Sequence, residues 1–152
     1  MAKNSVSPAM ARKQSSADSR KQSKEVVDNK EEKKEIIVQY IVVRNDLPRN
    51  QDRSFNTLIS HTASAATAAI HMCYKHEHTE AYLQDLDDLR KTIFQVDDEE
   101  QLFDLDNKLM LNKVDYRMWI KQPENYATCI ATRPYPKSEI AEYFKGLKIF
   151  KK

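Results

Sequence analysis

Ile36-Ile37-Val38-Gln39-Tyr40-Ile41-Val42-Val43 is the stretch that decides the fold, since six of its eight residues are β-branched. A nearly continuous apolar run of this length predicts a strand buried on both faces, as in a sheet covered by helices. Asn45, Asp46 and Pro48 end the run with turn-forming residues. Residues 55–74 follow with apolar positions at helical spacing and a cluster of alanines, which predicts a helix packed closely on that sheet.

The rest of the chain continues this alternation of strands and helices. The patterns predict, in order, a helix at 79–89, a strand at 92–96, a helix from Asp97 to Asn112, strands at 116–120 and 127–132, and a helix at 139–145 that Gly146 ends. The order β-α-α-β-α-β-β-α predicts an α/β protein, a single three-layer α/β/α domain with a mixed four-stranded sheet.

Composition excludes several classes of protein. The 152 residues include one glycine, Gly146, whereas phosphate-cradling loops of the Walker and dinucleotide-binding kinds need several. The two cysteines, Cys73 and Cys129, are far apart, which favours a reducing compartment over a disulfide framework. No apolar run approaches the roughly 20 residues that cross a bilayer, so we expect no membrane partner.

The N-terminal segment differs from the rest in charge. Residues 1–34 hold nine Lys/Arg, five Asp/Glu and no aromatic residue, which predicts a disordered basic tail ahead of a domain at 35–152. The remaining residues hold 16 basic and 18 acidic groups, a net charge of −2. The tail lacks a secretory apolar core and an arginine-rich amphipathic face, so we expect a cytoplasmic protein more than a mitochondrial one.

Four potential metal ligands occur close together at the end of the long predicted helix: His71, Cys73, His76 and His78. Metal sites usually draw matched ligand pairs from two separate elements, whereas residues 71 and 73 of one helix point to different faces. The pattern therefore favours a solvated loop, and we expect no metal and no other cofactor.

A polar stripe follows the same helix. Thr57, His61, Ser64, Ala68 and His71 recur at steps of four, three, four and three residues. The first turns of this helix follow the first strand, at the sheet edge where α/β proteins usually bind ligands. A histidine one turn from a hydroxyl can act as general base for that hydroxyl or for water, although such a pair also arises often by chance.

Longer blocks of sequence resemble the type 2 (archaeal/eukaryotic-type) peptidyl-tRNA hydrolases, and most closely the subgroup called peptidyl-tRNA hydrolase domain-containing protein 1. The resemblance covers about residues 36–151 and is carried by the first strand, the alanine-rich helix, Ala65–His71, His78–Gln84, Gln122–Ala131 and Arg133–Lys137.

The resemblance implies the same fold as the element order does. It further implies hydrolysis of the ester that joins a peptide to the 3′ end of tRNA, a reaction of translation quality control that uses no cofactor. Peptidyl-tRNA or another RNA, and not DNA, is the implied partner, and a homodimer is an implied assembly.

The enzymes of this family carry a Gly-Lys-Gly-Lys segment before the long helix, a Gln-x-x-His motif on it and an aspartate ahead of the last strand. This sequence departs from that pattern at each point. Residues 50–56 contain no Gly-Lys pair, and the aspartate of the family falls near Gln122, with Glu124 as the nearest carboxylate. One alignment places the glutamine and histidine of the family on His61 and Ser64, and another places the histidine on His61.

On this basis we expect His61 and Ser64 to be catalytic, and Arg44, Arg53 and Arg133 to hold tRNA phosphates. The substitutions imply weakened hydrolysis. The alternative is a non-catalytic binding module for RNA or protein that keeps the fold but has lost the lysine and aspartate of the family.

Overall fold

A computed structural model describes residues 34–47 and 55–151 of the chain. The tail predicted at residues 1–34 lies outside this part except for Lys34, and Arg53 lies outside it as well. The described elements are, in order, β1 (Ile37–Arg44), α1 (Phe55–Met72), α2 (Glu77–Gln84), β2 (Lys91–Val96), α3 (Glu99–Leu111), β3 (Tyr116–Lys121), β4 (Tyr126–Thr132), β5 (Tyr135–Pro136), α4 (Lys137–Ile140), a 3-10 turn (Ala141–Phe144) and β6 (Lys148–Ile149).

The α/β class predicted from the sequence is confirmed, but the sheet has six strands and not four. The two additional strands, β5 and β6, are two residues long each, which is too short to produce an alternating pattern. The last predicted helix is divided into α4 and the 3-10 turn, and Gly146 follows with a φ of 88°, a left-handed conformation suited to glycine.

Strand β1 lies at the centre of the sheet, whose order is β3-β4-β1-β2-β6, with β5 pairing to the start of β1. β1 and β2 are parallel, whereas the β1–β4, β3–β4, β1–β5 and β2–β6 pairs are antiparallel. Along this path β3 and β6 are the two edge strands. The central position explains why β1 is so uniformly apolar, because both of its faces are covered.

The two faces of the sheet carry different cores. One face of β1, with Val42, packs with large side chains of α3, which are Leu102, Leu105 and Leu109. The other face, with Val43, packs with the small side chains of α1, which are Ala65, Ala66 and Ala69. The alternation of β1 thus places a helix on each side and produces the three layers. Alanine contacts let α1 approach the sheet closely.

Candidate active site

An open groove of about 690 Å³ lies between α1 and the edge strand β3. It is lined by His61, Arg117, Met118, Trp119, Ile120, Lys121 and Gln122. Cross-strand pairing explains which residues of β3 face α1. Arg117 and Trp119 pair with Ala131 and Cys129, which belong to the α1-side core. Residues directly opposite in an antiparallel pair share a face, so Arg117 and Trp119 face α1 as well.

His61 lies at the wall of this groove. Its ring centroid is 6.2 Å from that of Trp119, with the planes tilted by 36°. Partial burial lowers the pKa of the His61 imidazole below its ordinary value, and the positive charge of Lys121 lowers it further. The imidazole is therefore mainly neutral at pH 7, the form that can accept a proton from water.

Ser64 follows one turn after His61 and is half-buried. The spacing of three residues places it on the same side of α1, as the polar stripe predicts. The His61 ring contacts the aromatic ring of Trp119. A catalytic role for Ser64 stays a prediction.

Arg44 lies on the opposite face of the sheet from His61, because it continues the alternation of β1 on the side of α3. Its guanidinium donates two hydrogen bonds to the carboxylate of Asp46, at 2.9 and 2.7 Å. It also donates to the carbonyl of Ala127 at 2.9 Å and lies 2.9 Å from a carboxylate oxygen of Glu99. These contacts tie the end of β1 to β4 and to the first turn of α3.

Arg133 lies at the other end of the sheet. It follows Thr132, which pairs with Tyr116 at the start of β3, whereas the groove reaches Gln122 beyond the end of that strand. Its guanidinium donates to Asp115 at 3.0 Å and to the Pro134 carbonyl at 2.8 Å, and lies 3.5 Å from the centroid of the Tyr135 ring. The structure therefore brings neither Arg44 nor Arg133 to His61.

Comparison with known proteins identifies the family of the chain. The family model described as Peptidyl-tRNA hydrolase PTH2 matches residues 37–150. The chain belongs to the PTH2 family. The family predicted from the sequence blocks is thus confirmed, and the match spans every described strand and helix.

Two mammalian relatives support the same placement within PTH2. The chain is 42% identical over 118 residues to the mouse and human proteins named "Putative peptidyl-tRNA hydrolase PTRHD1". Each alignment covers 77% of this chain and 84% of the relative. The relatives therefore agree with the subgroup that the sequence blocks predict.

The residues after β3, where the resemblance implies the aspartate of the family, stabilise a turn. Lys121 donates a 2.7 Å hydrogen bond to Glu124, and its ammonium lies 5.8 Å from the centroid of the Tyr126 ring. The Gln122 amide donates to Asn125, which has a φ of 56° in the turn between β3 and β4. Gln122 also lines the groove, and its amide cannot ionise.

Three groove residues were missed by the sequence interpretation, namely Arg117, Trp119 and Lys121. Arg117 and Trp119 lie on a segment predicted only as a strand, 116–120, and Lys121 directly follows it. The available signal was the alternation of Tyr116–Lys121, which places two cations and one indole at every second residue. Choosing the face that meets α1 required the pairing of β3 with β4, which is not a local property.

The histidine-rich segment after α1 has a structural role. His76 precedes α2, and its Nδ1 accepts a hydrogen bond from the backbone of His78 at 3.2 Å. Among residues 34–47 and 55–151, no three His, Cys, Asp or Glu side chains are grouped to hold a metal ion. Within the same ranges no helix is both long and apolar enough to cross a membrane.

Proposed function

We propose that this PTH2-family protein hydrolyses the ester between a peptide and the 3′ end of tRNA, with His61 as general base. One observation carries the proposal: the His61 imidazole lies at an open groove of the fold, beside a cation that lowers its pKa and an aromatic ring. Neutral imidazole at physiological pH is suited to removing a proton from water.

The reaction balances with one histidine and one water. His61 accepts a proton from water as the oxygen attacks the ester carbonyl, which forms a tetrahedral oxyanion. Collapse of that oxyanion breaks the bond to the ribose oxygen, and imidazolium returns the proton to it. The products are a peptide carboxylic acid and a tRNA with a free ribose hydroxyl. The Ser64 hydroxyl supports the water or the imidazole by a hydrogen bond.

The three arginines predicted to hold tRNA phosphates differ in the support for that role. Arg53 supplies the charge that the family takes from lysine, as a planar fork rather than a point charge. Arg44 and Arg133 already have protein partners, so phosphate contacts would have to compete with Asp46 and Asp115. Their predicted role therefore contributes less to the proposal than that of Arg53.

Peptide release from an N-acetylated aminoacyl-tRNA tests the proposal. A positioned general base contributes about 10²–10⁴ to the rate, so we expect His61→Asn to lower kcat by at least about 10². His71→Asn is the matched control, because His71 is an exposed residue near the other end of α1. Equal release by wild type and His61→Asn would contradict the role of His61.

The pH dependence gives a second readout. The base must be neutral, so kcat should rise with pH through a pKa below about 6.5 and then level off. Lys121→Gln removes a positive charge that lowers the pKa of His61, so the rising limb should move to higher pH. A rising limb that persists unchanged in His61→Asn would exclude His61 as the titrating group.

The second candidate function is a non-catalytic RNA-binding or protein-binding module. Gln122 favours it, because an amide committed to Asn125 lies close to where the family has a carboxylate. In that case Gln122 provides no carboxylate to orient the base or the water. Binding of intact peptidyl-tRNA without turnover, at enzyme in excess over substrate, would support this function and contradict hydrolysis.

A further inference from the structure

We infer that the groove between α1 and β3 binds single-stranded RNA, with one unstacked base against Trp119 and phosphates near Arg117 and Lys121. The inference deepens the proposed function, on which it rests, by naming the part of the substrate that is held: the unpaired 3′ strand of the tRNA. Trp119 is then a positioning residue for that strand.

The first support is the arrangement of side chains along β3. Arg117 and Trp119 face α1. Lys121 lines the same groove, and its positive charge lowers the pKa of His61. Residues 117 and 121 are about 13 Å apart along a strand, with the indole midway. A groove with cations on both sides of an aromatic ring is the pattern of proteins that bind single strands.

The second support is the contrast in charge between this groove and the rest of the domain. Residues 35–152 carry a net charge of −2, yet among the described residues the groove is lined by Arg117 and Lys121 and by no Asp or Glu. Glu124 contacts Lys121 from the turn, through an exposed ion pair of the kind that stabilises little and that a phosphate can replace. Local charge therefore complements a phosphate backbone.

The third support is the shape of β3. It is an edge strand, so one side of the groove is open along its length. The pairing of β3 and β4 shifts between Trp119 and Ile120, and such a bulge increases the local twist and redirects side chains. An open, twisted edge beside α1 can accommodate a flexible single strand.

The indole is itself a probe, because Trp119 is the only tryptophan of the chain. We expect quenching of tryptophan fluorescence when a short oligoadenylate is titrated into the full-length protein. Polyphosphate, which has the charge without bases, and an acidic peptide should cause little quenching. Equal quenching by polyphosphate or by the peptide would overturn the stacking of a base.

Variants measure the contributions with a labelled oligoadenylate and fluorescence anisotropy. Stacking of a base contributes about 1–3 kcal/mol, so Trp119→Leu should weaken binding about 5- to 150-fold, and Trp119→Phe should restore most of it. Arg117→Gln should reduce the slope of log K against log salt by about 0.7. Lys137→Gln, at an exposed site on α4, should change neither quantity appreciably.

The experiments distinguish a failure of the RNA-binding inference from a failure of the proposed hydrolysis. Circular dichroism first verifies that each variant folds. The quenching experiment uses the wild-type protein, so it does not depend on the folding of any variant. RNA binding that is unchanged in both Trp119→Leu and Arg117→Gln would overturn this inference. Intact RNA binding without peptide release would overturn the proposed function alone. Competition by an extended acidic peptide with equal affinity would assign the edge of β3 to a protein partner instead.

Discussion

The two faces of the sheet differ most clearly at the end of β1. On the α3 face, Arg44 is 9% exposed and surrounded by Asp46, Glu99 and the Ala127 carbonyl. On the α1 face, His61 and Trp119 line an open groove with Arg117. At this end of the sheet Arg44 is buried among its partners, whereas Arg117 is exposed. The comparison teaches that an arginine near a predicted site is informative only once its partners are known.

The cores of the two faces differ in the same way. The α3 face is filled by leucines and aromatic side chains, including edge-to-face contacts between Tyr40 and the rings of Phe94 and Phe144. The α1 face is built on alanines, so its core is thin, and His61 and Arg117 lie at its rim beside β3. We therefore expect substitutions on the α3 face to affect the free energy of unfolding, and substitutions on the α1 rim to affect binding and catalysis.

The largest expected effect on stability is on the α3 face. Leu109 is fully buried, so Leu109→Ala removes apolar contacts and leaves a cavity, which should lower the free energy of unfolding by about 3 kcal/mol. Leu111→Ala on the same helix is the matched control, because Leu111 is 80% exposed and should change stability by less than about 0.5 kcal/mol. Urea unfolding measures the free energy of unfolding of both variants. Equal losses in the two variants would contradict the assignment of the α3 face as the main core.

Arg44→Met should have the next largest effect. Removing the guanidinium leaves the carboxylates of Asp46 and Glu99 without their cation, and the expected loss is about 2 kcal/mol. This is below the usual range for a fully buried pair, because both carboxylates are partly exposed. Arg90→Met, which breaks an exposed pair with Asp88, should have a much smaller effect in the same urea unfolding experiment. Loss of RNA binding without loss of stability would instead assign Arg44 to phosphate recognition.

Much of the fold could be predicted from the sequence because its signals are local. The β-branched run of β1 and the spaced alanines of α1 each determine their own element, and Asp98 is found at the start of α3 accepting from the backbone of Gln101 at 2.9 Å. Strands β5 and β6 could not be predicted, because two residues form a strand only where a longer strand already offers an edge.

The site was less accessible to prediction for a related reason. The polar stripe of α1 identified His61, since a helix determines its own faces. The partners of Arg44 include Glu99, which is distant in sequence, and Trp119 meets His61 only through the register of β3 against β4. Such contacts are properties of the tertiary structure, so the sequence suggested three arginines without indicating which of them were already paired.

Overpacking of the α1 face should have an intermediate effect. Ala69 is 2% exposed in the contact between α1 and the sheet, so Ala69→Val should lower the free energy of unfolding by about 1.5 kcal/mol by forcing the helix outward. Ala63→Val is the control, because Ala63 is an exposed residue of the same helix. If the two variants unfold at the same urea concentration, the close approach of α1 to the sheet does not depend on its alanines.

The smallest expected effect is the acid dependence of the α3 face. Hydrogen bonds from Arg44 hold the pKa of the Asp46 carboxyl below its ordinary value. The carboxylate therefore contributes stability above the unfolded-state pKa, near 4, and loses that contribution as pH falls through the lower folded-state pKa. Asp46→Asn should cost less than about 1 kcal/mol at neutral pH, because solvent screens the pair. The difference from wild type should shrink as pH falls through the folded-state pKa, as urea unfolding across the acid range would measure. A difference that persists at acid pH would mean that Asp46 stabilises the protein through packing rather than charge. The contrast between the paired Arg44 on the α3 face and the open groove on the α1 face would then not be electrostatic.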